Sequence, residues 1–227
     1  MKIRLKTGKL IDVIPNEYLN TAKYINEKTN EFVYDDEIKY ILNMDNIISR
    51  GKELAWLLRH DKESYEDGFI DNEGWRRVDE LIKNHHYTKD LLDDIVATNN
   101  KQRYEYNEDK TKIRARQGHS IPVDVGMKEA DDITEDMAWL YHGTSEKFIE
   151  DIKKNGLLPQ TRQYVHLSPD TETAYNVGKR HGGKTYIIMI NAWQMKLDGE
   201  KIYISNNGVY NVKYVDPKYF YCINKYN

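Results

Sequence analysis

The spacing of apolar residues changes midway along the chain, and that change limits the architecture more than any single motif does. Before an acidic, apolar-poor stretch at residues 126–136, apolar side chains recur at helical intervals. After it they come in short runs bounded by glycine, proline and asparagine. Ile47, Leu54, Leu57 and Leu58, with Ala55 and Trp56 filling the face, predict an amphipathic helix over residues 46–60, capped by Asp45 or Asn46. Val78, Leu81 and Ile82 mark a second helix, and Leu91, Leu92, Ile95 and Val96 a third. Between the first two, Asp71-Asn72-Glu73-Gly74 reads as a turn that Gly74 makes easy. Residues 103–106 and 112–115 then read as two strands joined through residues 107–110.

Three helices followed by a charged hairpin is the order of a winged-helix module. Its wing would carry Lys101, Arg103, Lys110, Lys112, Arg114 and Arg116. In the second half, residues 140–142 read as a strand ending at Gly143, and residues 145–155 as a helix stopped by Gly156. Residues 164–167 are strand-like, and Ser168-Pro169 suits the cap and first position of a helix through Val177. Residues 185–190 form an apolar strand, and residues 201–204 and 209–212 a hairpin around Asn207-Gly208. This alternation predicts an α+β chain with a mostly antiparallel sheet in its second half. Residues 1–45 offer a short strand at 2–5 and no recognisable chemistry.

Composition removes whole classes of function. With 39% hydrophobic and 31% charged residues the chain can build a core. No run approaches the roughly 20 apolar residues of a membrane span, and the first ten residues lack the apolar centre of a signal peptide. One cysteine, Cys222, rules out an intrachain disulfide and a cysteine-based zinc cluster. A cytoplasmic protein without a metal, and without membrane contact, is the expectation. The net charge of −3 does not favour nucleic acid overall. The charge is uneven, however, with basic residues gathered in 101–116 and 179–184 and acidic ones in 35–37, 90–94 and 131–136.

No P-loop, dinucleotide-binding glycine fingerprint, serine nucleophile elbow or zinc-protease motif is present. What remains is a set of Arg and His residues at element ends: Arg59-His60, Arg114 and Arg116 with His119, His142, Arg162 with His166, and Arg180-His181. Arginine forks match phosphate oxygens, and histidines handle protons near neutrality. The alternative is structural: an Arg-His pair at a helix C-terminus also stabilises the last carbonyls, and wing lysines also form an ordinary solvated face.

These residues stand in stretches that resemble the RNA 2′-phosphotransferase family. The stretches are Leu57-Leu58-Arg59-His60, Asp71-Asn72-Glu73-Gly74-Trp75, Lys101-Gln102-Arg103-Tyr104 and Ile113-Arg114-Ala115-Arg116-Gln117-Gly118-His119-Ser120. They continue with Leu140-Tyr141-His142-Gly143-Thr144, Arg162-Gln163-Tyr164-Val165-His166-Leu167-Ser168, Val177-Gly178-Lys179-Arg180-His181-Gly182 and Asn207-Gly208-Val209. They keep the family's order over residues 47–215. The resemblance implies a winged-helix RNA-binding lobe over residues 46–125, a linker at 126–137, and an ADP-ribosyltransferase-like lobe over 138–227, after an extension at 1–45.

By the same resemblance, Arg59, His60, Arg114 and Arg180 form the catalytic set, with Arg162 the alternative to Arg180. His142, Gly143, Thr144, Arg162, His166, Ser168 and Val209 would hold NAD⁺. Lys101, Arg103, Arg116, Gln117 and His119 would meet RNA. The implied reaction begins when an RNA 2′-phosphate displaces nicotinamide from NAD⁺. The ADP-ribose 2″-hydroxyl then attacks phosphorus and releases 2′-hydroxyl RNA and ADP-ribose 1″,2″-cyclic phosphate. The partner would be a tRNA-like RNA bearing a 2′-phosphate, and the protein a monomer with no obligate protein partner. Two other readings are an enzyme that stops at ADP-ribosylation and a non-catalytic RNA-binding module.

Overall fold

A computed structural model describes residues 1–16 and 22–226. These residues form two compact units: Met1–Ala55 with Leu81–Asn100, and Trp56–Glu80 with Lys101–Asn227.

In chain order, the first elements are β1 (Lys2–Leu5), β2 (Leu10–Pro15), β3 (Tyr24–Asn26), β4 (Phe32–Val33), β5 (Ile38–Ile41) and α1 (Met44–Arg59). They are followed by α2 (Lys62–Glu66), β6 (Arg76–Arg77), α3 (Val78–His85) and α4 (Lys89–Thr98). In the first unit the five strands form one antiparallel sheet in the order β4-β3-β2-β1-β5. Ile3, Ile11, Val13 and Val33 supply its buried face. Arg4 Nε donates to Asp94 of α4 at 3.0 Å, and the Tyr40 hydroxyl donates to the other oxygen of that carboxylate at 2.9 Å. The sequence reading found β1 alone. Ile11 and Val13 alternate with polar positions, but the other strands have two to four residues and show no period. The cap of α1 also differs, because Asn43 Oδ1 accepts from the Asn46 amide at 3.0 Å.

The second unit continues with β7 (Tyr104–Tyr106), β8 (Lys112–Ala115), β9 (Lys128–Glu129), β10 (Trp139–Ser145), α5 (Ile149–Asn155), β11 (Val165–Leu167) and α6 (Thr171–Gly178). It ends with β12 (Thr185–Asn191), α7 (Ala192–Leu197), β13 (Ile202–Ile204), β14 (Tyr210–Val212) and β15 (Phe220–Tyr226). The basic hairpin β7–β8 extends to β6 in the order β6-β8-β7. Two antiparallel sheets follow, β10-β12-β15 and β11-β14-β13-β9, joined where Tyr141 and Ser168 exchange backbone hydrogen bonds. Leu140, Val165, Leu167, Ile188, Ile190, Met195, Tyr210 and Val212 lie in their common core. Ala130 and Ile133 belong to that core too, and β9 adds a strand next to β13. The chain is thus α+β, with antiparallel sheets throughout.

Local details depart from the sequence reading. Strand β10 runs on to Ser145, so Tyr141–Thr144 lies within a strand and not at its end. Residues 146–148 form a 3-10 turn, and the α-helix begins at Ile149. Asp170, not Ser168, caps α6, accepting from the Thr173 amide at 2.7 Å. Gly156 does stop α5, at φ +76°. Elements α2, α7 and β15 were not foreseen.

Gly143 shows how closely the layers approach. A Cβ there would stand 1.7 Å from the Ala174 carbonyl oxygen of α6, and a Cβ at Gly178 would stand 2.8 Å from Gly143 C. Backbone meets backbone, so neither side can yield. Gly143→Ala should therefore cost at least about 3 kcal/mol. A urea midpoint equal to that of the parent chain would contradict this packing.

Candidate active site

All the candidate site residues belong to the second unit, and each can be traced to an element that fixes it. The end of α1 supplies Arg59 and His60. Its position is secured by Arg76, which is fully buried. Arg76 Nε and NH2 donate to the two Glu80 oxygens at 2.6 and 3.0 Å, and NH2 also donates to Ser64 Oγ at 3.0 Å. Its NH1 donates to Asp61 Oδ2 at 2.9 Å and to the Leu57 carbonyl at 3.1 Å. The five N–H donors of a guanidinium are thereby all used.

Arg59 presents the opposite case. It is 8% exposed, yet its Nε and NH2 are buried without a hydrogen-bond partner among the described residues. Burial pushes its pKa down to about 10, opposed by Tyr104 and reinforced to a lesser degree by the charges of Arg103 and Arg162. It still carries its charge at neutral pH. The Arg59 carbonyl accepts from the Ser120 amide at 2.9 Å, and Ser120 Oγ lies 3.0 Å from His60 Nδ1. Burial, followed by Arg59 and Arg162, lowers the pKa of His60.

Gly118 lets the chain pass between these groups. It has φ +87°, and a Cβ there would lie 3.5 Å from His166 Cε1 and 3.7 Å from Arg59 Cζ. The next residue, His119, is 4% exposed, and its Nε2 has no partner among the described residues. Gln163 ties the start of β11 to this segment: its amide donates to the His119 carbonyl at 3.0 Å and its side chain to the Val123 carbonyl at 3.0 Å.

The histidine tautomers follow from their partners. Arg162 NH1 stands 3.0 Å from His166 Nδ1, and since a guanidinium only donates, Nδ1 accepts and Nε2 carries the proton. His142 Nδ1 lies 3.1 Å from the His166 carbonyl, so there Nδ1 carries the proton. Burial chiefly, then neighbouring cations, lowers the pKa of His119 and of His166 to about 3. Burial lowers that of His142 as well. A cleft beside them is lined by Gln117, Gly118, His119, Gln163, His166 and Asn211. Three buried polar atoms on its lining residues, His119 Nε2, His166 Nε2 and Asn211 Oδ1, lack partners among the described residues.

Cations crowd around this cleft. Arg180 is exposed in the turn Lys179–His181, and its charge lowers the proton affinity of both Arg162 and Lys101. Although Arg162 is exposed over much of its surface, desolvation around its guanidinium is the larger cause of its own lowered pKa. Arg103 acts on Arg59 and Lys101 in the same way. Arg114 stacks on Trp75, 4.2 Å from the ring centroid, and pairs with Glu105 at 2.7 Å; Arg116 pairs with the same carboxylate at 3.0 Å.

Residues 45–213 match the family described as RNA 2'-phosphotransferase, Tpt1 / KptA family. The chain belongs to this family. Among relatives named probable RNA 2'-phosphotransferase, the protein of Flavobacterium johnsoniae is 46% identical over 177 residues, 75% of this chain and 93% of that one. That of Fusobacterium nucleatum is 42% identical over 181 residues, 78% of this chain and 98% of the other. That of Pyrococcus abyssi is 41% identical over 173 residues, covering 72% and 88%.

Within this member of the RNA 2'-phosphotransferase family, not every candidate residue reaches the cleft by a side chain. Gly143 and the buried Thr144 pack inside β10, Gly143 directly beneath α6. Ser168 bonds through its backbone to Tyr141, and the Val209 carbonyl accepts from Ser205 and from Asn211 Nδ2. The sequence reading missed Asn211, Gln163 and Glu105. Asn211 carries a signal nonetheless, being a polar residue between two buried apolar ones in β14. Glu105 would have emerged from counting the hairpin register back from Arg114.

Neutral buried histidines give the fold a pH dependence of known sign. In the unfolded chain His119 and His166 take up protons near pH 6.5; in the folded chain they do so only near pH 3. Between those limits the unfolded state binds more protons, so stability is full above about pH 6.5 and falls as pH drops, on the order of 1.4 kcal/mol per pH unit for each histidine. Urea midpoints at pH 7 and pH 5 measure it. His166→Gln should flatten the slope; an unchanged slope would place the proton uptake elsewhere.

Proposed function

We propose that this protein transfers an internal RNA 2′-phosphate to NAD⁺, giving 2′-hydroxyl RNA, nicotinamide and ADP-ribose 1″,2″-cyclic phosphate. The observation that carries the reading is Arg59, a buried guanidinium with two unpartnered nitrogens at the edge of a ring of further cations. A buried cation without an acidic partner is unfavourable unless an anion completes it. A phosphate monoester is already a dianion near neutral pH and needs no base to act as a nucleophile, so holding it in place is the main requirement.

NAD⁺ supplies the ribosyl carbon that accepts the phosphate and the hydroxyl that later receives phosphorus. The chain's own groups fit such a molecule. His166 Nε2–H offers a buried donor and Asn211 Oδ1 a buried acceptor, both lining the cleft, while Arg162 suits its pyrophosphate. Arg59, Arg114 and Arg180 would clamp the RNA phosphate. His60 is neutral in the free protein, and the approach of a dianion raises its proton affinity. It can then hold a proton for the departing 2′-oxygen, oriented by Ser120. The β7–β8 hairpin, read as the wing of a winged-helix lobe, would bring Lys101, Arg103, Arg116, Gln117 and His119 toward RNA. The β10–β15 region would act as the ADP-ribosyltransferase-like lobe. A tRNA-like RNA suits this reading as substrate.

The test is incubation of a short RNA bearing one internal 2′-phosphate with and without NAD⁺, with products followed by mass spectrometry. Loss of the phosphate only with NAD⁺, together with the cyclic phosphate product, supports the reading. Accumulated ADP-ribosylated RNA would restrict the activity to its first step, and no change would remove the assignment. In the same assay Arg114→Ala should lower turnover by about 10² or more with the fold retained. Substantial residual turnover would exclude Arg114 from the site.

A further inference from the structure

Arg114 and Arg116 stand two residues apart along the basic strand, so their side chains emerge on the same face. Two like charges so close repel and would splay. The register of the hairpin sets Glu105 directly opposite Arg114, and the Arg116 amide continues the pairing by donating to the Arg103 carbonyl. The Glu105 carboxylate therefore falls between the two guanidiniums. Oε1 accepts from Arg114 Nε at 2.7 Å, and Oε2 lies 3.0 Å from Arg116 Nε.

Arg114 gives its inner edge to this carboxylate in a hydrogen bond, while Arg116 Nε meets it as a close ion pair with no hydrogen bond among the described residues. Their NH1 groups are anchored as well, that of Arg114 on the Glu73 carbonyl at 3.1 Å, that of Arg116 near Gln102 Oε1 at 3.4 Å and the Asn206 carbonyl at 3.5 Å. Trp75 fixes the plane of Arg114 from its face. Glu105 is itself only 15% exposed, so water screens the three charges weakly. Asn206 Nδ2 approaches its Oε2 at 3.5 Å, linking the pair to the turn before β14.

We propose that Glu105 is a positioning residue that holds Arg114 and Arg116 in one fixed spacing for RNA phosphate, at the cost of weakening RNA affinity through its own negative charge. This rests on the phosphotransfer reading above. It separates two quantities that a merely structural residue would move together. A carboxylate beside a phosphate site repels RNA, so its removal tightens binding. The same removal frees the arginines from their spacing, so the chemical step slows.

The experiment compares Glu105→Gln, Glu105→Asp and the parent chain. It reads kcat on the 2′-phosphorylated RNA with NAD⁺, RNA affinity by fluorescence anisotropy at low and high salt, and the melting temperature. Glu105→Gln should lose about ten- to a hundredfold in kcat while binding RNA more tightly at low salt, a gain that salt removes. Glu105→Asp keeps the charge but is too short to reach both arginines. It should bind RNA like the parent chain and still turn over more slowly. Unchanged kcat in Glu105→Gln overturns the proposal, as does a joint loss of turnover, affinity and melting temperature. If Glu105→Gln does not fold, Glu105→Asp decides, and parental kcat in it overturns the proposal. A parent chain inactive on this RNA overturns the phosphotransfer reading and this inference with it; an active parent with unaffected variants overturns this inference alone.

Discussion

Two arginines are buried in the second unit, and the difference between them organises the site. Arg76 is enclosed by Asp61, Glu80, Ser64 and a carbonyl of α1, so its desolvation is offset at every donor. Arg59, two residues on from that carbonyl, lies beside Gly118 and the neutral His166 and near other guanidiniums, with nothing acidic bonded to it among the described residues. A cation held this way raises the free energy of the folded chain. It persists because the surrounding structure leaves it no exit: α1 is tied down by Arg76, and the 118–121 segment is tied to α1 through the Arg59 carbonyl. The stable ion network thus holds the unstable charge in place.

The histidines continue the same logic. His119, His142 and His166 stay neutral because burial and the nearby guanidiniums disfavour a further positive charge. Neutral rings supply donors and acceptors, fixed by tautomer at His142 and His166, where protonated ones would add repulsion. Around them Arg180 and Arg103 lower the proton affinity of Lys101, Arg180 that of Arg162, and Arg103 and Arg162 that of Arg59. The potential of the site is therefore positive even though the chain as a whole carries −3.

Much of this was legible in the sequence, for reasons that differ by element. Helix α1 and the β7–β8 hairpin follow from apolar period and turn chemistry, and the Arg and His residues stood out against otherwise ordinary stretches. Beyond β1 the N-terminal sheet did not, because three of its other four strands have only two to four residues and carry no measurable period, and its anchor to α4 depends on Asp94, some 90 residues distant along the chain. Gly143 joined the NAD⁺ set by resemblance; the closeness of α6, which requires a residue without Cβ, is a tertiary fact that the sequence does not show. Asn211 and Glu105 were overlooked because a polar residue in a strand declares its role only once the opposite strand is known.

The proposed phosphotransfer requires Arg59 to be an uncompensated charge kept for an anionic ligand. Arg59→Met tests that directly by retaining the bulk and removing the charge. Two readings on one sample suffice: the melting temperature, and the preference for 2′-phosphorylated over 2′-hydroxyl RNA of the same sequence. A higher melting temperature is expected, since an unpaired buried cation is removed, together with loss of that preference. A lower melting temperature with the preference intact would mean that Arg59 is a structural cation and that the phosphate is recognised elsewhere.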